Sequence, residues 1–374
     1  MKFAGKILKF SKNSMKNGAH QLMVTDEFQK FIKVSLSGRR RASSGKRITK
    51  GTITNYRYVL NLIEEFQELN DITLRIQLLH RASMRTLQRE KNYWSRFFMQ
   101  FSHFLYKDKK YYDNSVLNNF KTIKTFFNYL QQERGYVIGN FHKSFRIPLQ
   151  QNTPVVLSPE QLKFLISDKV FDEGLNPGLK RARDIFVFGC TVALRYSDLM
   201  KLKKGNLTII NGEHYLLLFT KKTTTEIRVP VPDYLLDIIY RNKRKAGIFL
   251  LPRLSSTNLN IQVKKLIKKA GWSQVLPKNI SLQGRMIELK NAKGGSWQFH
   301  EHITSHTMRR TAITTFLILG VPENIVRKIS GHAAGSKEFF KYVAIAQEYL
   351  EKEVKTAYQK LLEMPALKSL KISA

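Results

Sequence analysis

The chain has 374 residues and 43% hydrophobic content, which excludes a disordered polypeptide and allows two or three domains with at least one sizeable core. Lys and Arg number 64 against 28 Asp and Glu, a formal charge of +36 that far exceeds what solubility asks of a chain this size. Such an excess calls for a polyanionic partner, and nucleic acid is preferred to an anionic membrane. No apolar run is long enough to span a bilayer, and Met1 to Phe10 is interrupted by lysines where a secretory signal would be apolar. Cys190 is the single cysteine, so one chain can form neither a disulfide framework nor a thiolate-rich zinc site, and a reducing cytoplasm suits it. It lies within the apolar run Ile185 to Leu194 and reads as a buried thiol rather than a nucleophile.

Residues 1–50 hold 13 Lys or Arg against 2 Asp or Glu. Much of that charge sits at Arg39, Arg40, Arg41, Lys46 and Arg47, among Ser and Gly that argue against a packed element. Residues 1–48 therefore read as a flexible arm, either lying on DNA phosphates or simply solvated. Thr52 is placed to cap a helix with apolar positions Tyr56, Val59, Leu60, Leu62, Ile63 and Phe66. Two further helical stretches follow, around Leu87 to Tyr106 with Trp94, Phe97, Phe98 and Phe101, and from Ser115 to Gln132 with Phe120, Ile123, Phe126 and Phe127. Aromatic stripes at helical spacing could stack on bases but read as core. These helices define a domain over residues 49–146, and Pro148 to Pro154 mark a linker over 147–156.

Ser158-Pro159-Glu160-Gln161 opens a second domain, 157–345, with an N-cap and a proline at the first helical position. Helix continues through Arg181 to Leu194. Tyr215–Phe219 and Ile227–Val231 read as strands around a basic loop that carries Lys221 and Lys222. Helices resume at Tyr234–Arg244 and Ile261–Ala270, residues 271–304 read as irregular, and Ser305 starts helix again. Ala344 to Leu362 reads as an amphipathic helix, so residues 346–374 form a C-terminal helix and tail.

Near the end stand His306-Thr307-Met308-Arg309, then Gly331-His332, then Tyr342. His306 and Arg309 share a helix face at i and i+3, in a first turn that favours anions. Gly331 is a helix C-terminal signal, so His332 would emerge from a fixed helix end. Upstream, an apolar helix breaks at Leu194-Arg195-Tyr196-Ser197-Asp198, where a turn between two helices would present Arg195 outward. Each feature alone is ordinary. Together they bring cations, imidazoles and a phenol to one place, equipment for a phosphodiester. Tyr349, seven residues on in the same helix, is the alternative nucleophile. A competing reading would have His300, His302 and His306, with Glu301 between the first two, bind zinc, but nothing else nearby has ligand spacing and we assign no metal.

With Leu194 to Leu199, Thr220 to Thr223, His306 to Thr311, Gly331-His332 and Tyr342, residues 50–350 resemble a tyrosine recombinase of the phage-integrase and Xer family, most closely the integrases of mobile elements. The resemblance implies a mainly α fold: a helical core-binding, SAM-like domain, then a mostly α catalytic domain with a small antiparallel β-sheet, the DNA breaking-rejoining fold. It implies a site-specific recombinase that works through a 3′-phosphotyrosine on Tyr342, without metal, ATP or other cofactor. Arg195 and Arg309 would clamp the phosphate and Lys222 would protonate the leaving oxygen. His306 would assist proton transfer at the nucleophile, His332 would hydrogen-bond the phosphate, and Asp198 would orient His306 or Arg195. Lys221 and Arg310 join the basic cluster at 39–47 as DNA contacts. Implied partners are double-stranded recombination sites bound by a homotetramer, with accessory DNA-bending proteins, in the cytoplasm at the bacterial nucleoid. A type IB topoisomerase shares this chemistry, and a non-catalytic DNA-binding protein would share only the charge.

Overall fold

The computed structural model describes residues 21–150, 153–219, 226–333 and 335–363. The chain divides into two compact units, Met1–Gln151 with Asn279–Glu288, and Asn152–Lys278 with Leu289–Ala374.

The first unit begins with strand β1 (Gln21–Met23) and helices α1 (Val24–Ser37) and α2 (Lys50–Leu69), followed by β2 (Arg75–Gln77), α3 (Met84–Lys107) and α4 (Asp113–Gln132). β1 pairs antiparallel with β2, Leu22 facing Ile76. Each helix turns an apolar stripe inward, as Ile53, Tyr56, Leu60, Ile63 and Phe66 do from α2. The aromatic residues fill that interior. Phe28 lies 4.5 Å from Phe126 and Phe97 stacks at 5.2 Å on Phe101, so these rings are core and not base-stacking platforms.

Two expectations change here. The stretch read as a flexible arm contains α1, because Phe28, Phe31 and Ile32 at helical spacing bury an apolar face that outweighs the local charge. Residues 41–47 then form a tight turn, with Ala42 N–H donating to Lys46 O at 2.9 Å and Arg41 bridged to Arg47. Residues 1–20 of the expected arm lie outside the described residues. α2 also starts earlier than read, since Thr49 rather than Thr52 supplies the cap and accepts from Thr52 N–H.

The second unit opens with α5 (Pro159–Ser167), whose capping box joins Ser158 and Gln161, then α6 (Lys169–Glu173), α7 (Pro177–Val192) and α8 (Tyr196–Leu199). β3 (Leu207–Ile210), β4 (Glu213–Phe219) and β5 (Glu226–Pro230) form one antiparallel sheet, with Leu216 opposite both Leu207 and Val229. The sequence reading had only the second and third of these strands. Asn211 and Gly212, at φ 53° and 84°, make the two-residue turn that β3 requires. α9 (Asp233–Ala246) and α10 (Ser256–Lys269) follow. The interior gathers Leu216, Val229, Ile185, Phe186, Phe188 and Leu266.

The stretch read as irregular holds a hairpin, β6 (Lys278–Leu282) and β7 (Arg285–Leu289), turned at Gln283 and Gly284, both of positive φ. Its residues 279–288 belong to the first unit. There the Asp113 carboxylate, at the start of α4, accepts from Gln283 N–H at 2.7 Å, Gly284 N–H at 2.9 Å, Tyr106 Oη at 2.7 Å and Ser281 Oγ. Gln150, in the expected linker, is pinned to Asn114 and to Ser281 N–H. The chain ends with α11 (Phe299–His302), α12 (Ser305–Ile318), α13 (Glu323–Ser330) and α14 (Lys337–Glu363). α14 is continuous across residue 346, where the sequence reading separated a tail, and residues 364–374 lie outside the described residues.

Burial would raise the Asp113 carboxyl, but the donors from Ser281, Gly284, Tyr106 and Gln283 outweigh it and hold it below its ordinary value. Its contribution to stability is therefore complete above the ordinary aspartate range and is lost as pH falls through the lower folded value. Asp113→Ala should cost about 3 kcal/mol at neutral pH by stranding these donors. Urea unfolding checks this, and the gap between variant and wild type should close in acid.

Candidate active site

α12 is the element on which the site is built. Its N-cap is Thr304, which forms a capping box with Thr307, so Ser305 is the first helical residue and His306 and Arg309 fall in the first turns. His306 is exposed, whereas Arg309 retains 3% of its surface. A guanidinium so buried needs acceptors, and it finds two carbonyls: Nη1 donates to Ala193 O at 2.9 Å and Nη2 to Ser330 O at 2.5 Å. These belong to the two helix ends that carry the other predicted groups.

The first end is that of α7. Ala193 terminates it in the left-handed region, φ 56°. Leu194 is buried, and Arg195 takes the N-cap position of α8 and stands exposed in the turn between the helices. The second end is that of α13, closed by Gly331 at φ 65°, with His332 N–H donating to Arg327 O at 3.0 Å. The His332 ring lies 3.4 Å from Arg309 Nη2, and its centroid is 6.0 Å from that of Tyr342. Tyr342, in the second turn of α14, is 5% exposed and packs in a small cluster with Ala193, Ala312, Ile313, Val326 and Phe339. Among the described residues its hydroxyl has no hydrogen-bond partner.

The electrostatics mark an anion site. Burial, then Arg195, push the Arg309 guanidinium down to about 10, still protonated at neutral pH. Burial, then Arg310, Arg309 and Arg195, lower His306. Burial, then Arg309, Arg195 and Arg327, push His332 down to about 4. Both imidazoles are therefore neutral, and the cations around them are offset in part by Glu338, which acts on both rings. Asp198 alone draws Arg309 toward its charged form besides Tyr342. A phosphodiester would supply the missing negative charge.

The remaining candidates distribute as follows. Lys221 and Lys222 lie outside the described residues, between β4 and β5. Tyr349 donates to Glu160 Oε1 at 2.6 Å, which raises its phenol, so its hydroxyl is engaged on α5. Arg40 is committed to Glu133 at 2.9 Å and to the face of Phe31, whereas Arg39, Arg41, Lys46 and Arg47 are exposed on the turn that ends α1. His302 spends Nε2 on Leu276 O at 2.7 Å, and among the described residues no group of three His, Cys, Asp or Glu is arranged to hold a metal.

Residues 157–348 match the family model of the phage integrase family, which spans more than half of the chain. The chain belongs to the phage integrase family. No curated protein matches this recombinase in sequence. Its fold is similar to that of XerH site-specific recombinase bound to a palindromic difH substrate, with a TM-score of 0.55, 15% identity, and 88% of this chain and 84% of that chain covered. It is similar to a lambda integrase dimer bound to a COC′ core site, TM-score 0.54 and 15% identity, over 86% of this chain and 77% of that one. The Tn1549 transposon integrase in complex with circular intermediate DNA gives TM-score 0.53 and 16% identity over 86% and 95%. The resemblance drawn from the motifs is thereby borne out, and with it the mainly α recombinase fold and the site-specific recombinase activity.

Several residues that shape this integrase site escaped the sequence reading. Ala193 and Ser330 act on Arg309 through backbone carbonyls, which any residue carries, so no side-chain pattern reports them. Gly189 was equally silent. A Cβ there would lie 2.6 Å from Met308 Sδ and 2.9 Å from Met308 Cβ, so the glycine lets α7 approach α12 one residue from Arg309. Gly189→Ala should cost about 1–3 kcal/mol by overpacking this contact. Denaturant unfolding measures it, and unchanged stability would show that the two helices separate freely.

Proposed function

We propose that Tyr342 of this recombinase attacks a DNA phosphodiester in line. The Tyr342 Oη–P bond forms as the P–O5′ bond breaks, leaving a 3′-phosphotyrosine and a 5′-hydroxyl. Arg309 and Arg195 hold the non-bridging oxygens and stabilise charge as it develops on them. Lys222 gives its proton to the departing 5′-oxygen, His306 assists proton transfer at the nucleophile, His332 hydrogen-bonds the phosphate, and Asp198 orients His306 or Arg195. A 5′-hydroxyl from a second duplex then attacks the phosphotyrosine, so bond energy is conserved and strand exchange needs no ATP. The observation that carries this reading is a buried, charged Arg309 beside Arg195 and His332, with no carboxylate paired to it and no hydrogen-bond partner for the Tyr342 hydroxyl among the described residues.

The substrate is double-stranded DNA. Arg39, Arg41, Lys46, Arg47 and Arg310 add phosphate contacts that position it, and Lys221 does the same from the basic loop. Arg40 contributes less, since Glu133 already holds it. The assembly is a homotetramer on two sites, aided by accessory DNA-bending proteins, for integration or excision of a mobile element in the cytoplasm. The distal part of α14 supports this, because Leu350, Val354, Tyr358 and Leu361 stand exposed along it as a surface for a neighbouring subunit. Lambda integrase has been seen as a tetramer bound to a Holliday junction. Among the described residues no helix is long and apolar enough to cross a membrane.

A nicked duplex carrying the recognition site traps the covalent intermediate. Wild type should form the adduct and Tyr342→Phe should not; an adduct with the phenylalanine variant would move the nucleophile elsewhere. Arg309→Ala and Arg195→Ala should each slow cleavage by about 10²- to 10³-fold while DNA binding persists, as single-turnover cleavage and gel-shift assays would report.

A further inference from the structure

Asparagine is a poor residue inside a helix, because its amide competes for nearby backbone groups. Asn260 nevertheless stands within α10, and its Oδ1 is directed at another element. It accepts from the N–H of Ser305, the first residue of α12, at 2.7 Å. Ser256, one turn earlier on the same face, adds a second contact, its hydroxyl 3.3 Å from that of Ser305. Leu259 and Val263 are fully buried and fix the rotation of α10, so this face stays turned toward α12. The N-cap of α12 cannot replace Asn260. An N-cap side chain reaches the second or third N–H of its helix, and Thr304 reaches Thr307 in the capping box. The first N–H needs an acceptor from elsewhere, and Ser305 retains only 8% of its surface. Ser305 is thus held from α10 and Thr307 from Thr304, with His306 between the two points.

We propose that Asn260 is a positioning residue for cleavage: by receiving the first N–H of α12 it fixes the turn that carries His306, and with it the aim of the imidazole at the nucleophile. This rests on the proton-transfer role given to His306 above. The His306 side chain is exposed, so its place depends on the backbone beneath it more than on packing. Arg309 has its own anchors in the carbonyls of Ala193 and Ser330, so loss of the Asn260 bond displaces His306 and leaves the phosphate clamp in place. A proline at 305 would meet the same need by another route. It has no N–H to satisfy, and its φ suits the first helical residue. Thr304, at φ −142° and ψ 172°, already has the extended backbone that a following proline demands. Asn260 therefore matters only while residue 305 carries an N–H.

Single-turnover cleavage of a nicked duplex by the full-length protein tests this, well below the unfolding temperature of each variant. Asn260→Ala should cleave about 10-fold more slowly at saturating DNA, with unchanged DNA affinity. Ser305→Pro should restore the rate in the Asn260→Ala background and change little in wild type. Hydrogen exchange of the Ser305 amide reads the bond itself, slow in wild type and fast in Asn260→Ala. Wild-type cleavage by Asn260→Ala, with or without a loss of stability, overturns the proposal and leaves Asn260 a structural residue only. A folded Asn260→Ala/Ser305→Pro protein that stays slow also overturns it, because Asn260 would then act other than through the N–H. If Asn260→Ala does not fold, the double variant and the wild-type exchange rate still decide. A wild type that forms no covalent adduct would instead sink the site assignment and leave the exchange result standing.

Discussion

Arg309 carries its charge into a helical interior where carbonyl dipoles receive it, Nη1 on Ala193 O and Nη2 on Ser330 O. A guanidinium cannot shed its proton at neutral pH, so its burial is tolerable only while those acceptors stay in place. The carbonyls terminate α7 and α13, which bear Arg195 and His332 at their ends. One buried cation thus ties together the helix ends that present the other groups. In the function proposed above, the side chain that stabilises the transition-state charge is also the one that holds the local architecture together.

The packing beneath explains why the arrangement can hold. Gly189 admits Met308, which brings α12 close to α7 and sets Arg309 within reach of Ala193 O. The small cluster of Ala193, Ala312, Ile313, Val326, Phe339 and Tyr342 draws residues from four of the elements that define the site. Tyr342 is part of that cluster, so among the described residues its position is set by hydrophobic contact rather than by a hydrogen bond to its hydroxyl. Arg327 adds to this, with its guanidinium 3.9 Å above Phe339 and its backbone carbonyl receiving His332 N–H.

The local positive charge has a physical consequence in the free protein. Burial first, and then Arg309 and Arg195 at both rings with Arg310 at His306 and Arg327 at His332, lower both imidazoles, an arrangement that gains little until an anion enters. The first unit is built on another principle, an aromatic interior with one carboxylate, Asp113, gathering donors from Tyr106 and the hairpin turn.

Local chemistry was legible in the sequence wherever a side chain announced its own role. The periodicity of Tyr56 to Phe66, the Ser158-Pro159 cap, the break after Leu194, the Gly331 terminator and the order of Arg195, His306, Arg309, His332 and Tyr342 were all visible, because short-range spacing encodes them. The first strand of the three-stranded sheet and the hairpin at 278–289 were missed, although Asn211-Gly212 was a readable turn signal and Gln283-Gly284 a weaker one. The helix inside the basic N-terminal stretch is masked in the sequence by the surrounding charge, although Phe28, Phe31 and Ile32 are spaced as one helix face. Only the tertiary structure decided that Arg309 is received by the carbonyls of Ala193 and Ser330, that Tyr349 is engaged with Glu160 while the hydroxyl of Tyr342 is left uncommitted, and that Ser330 faces Nδ1 of His332. The reason is physical: sequence names the groups that can do chemistry, whereas backbone acceptors, helix approach and ring orientation arise only when distant segments meet.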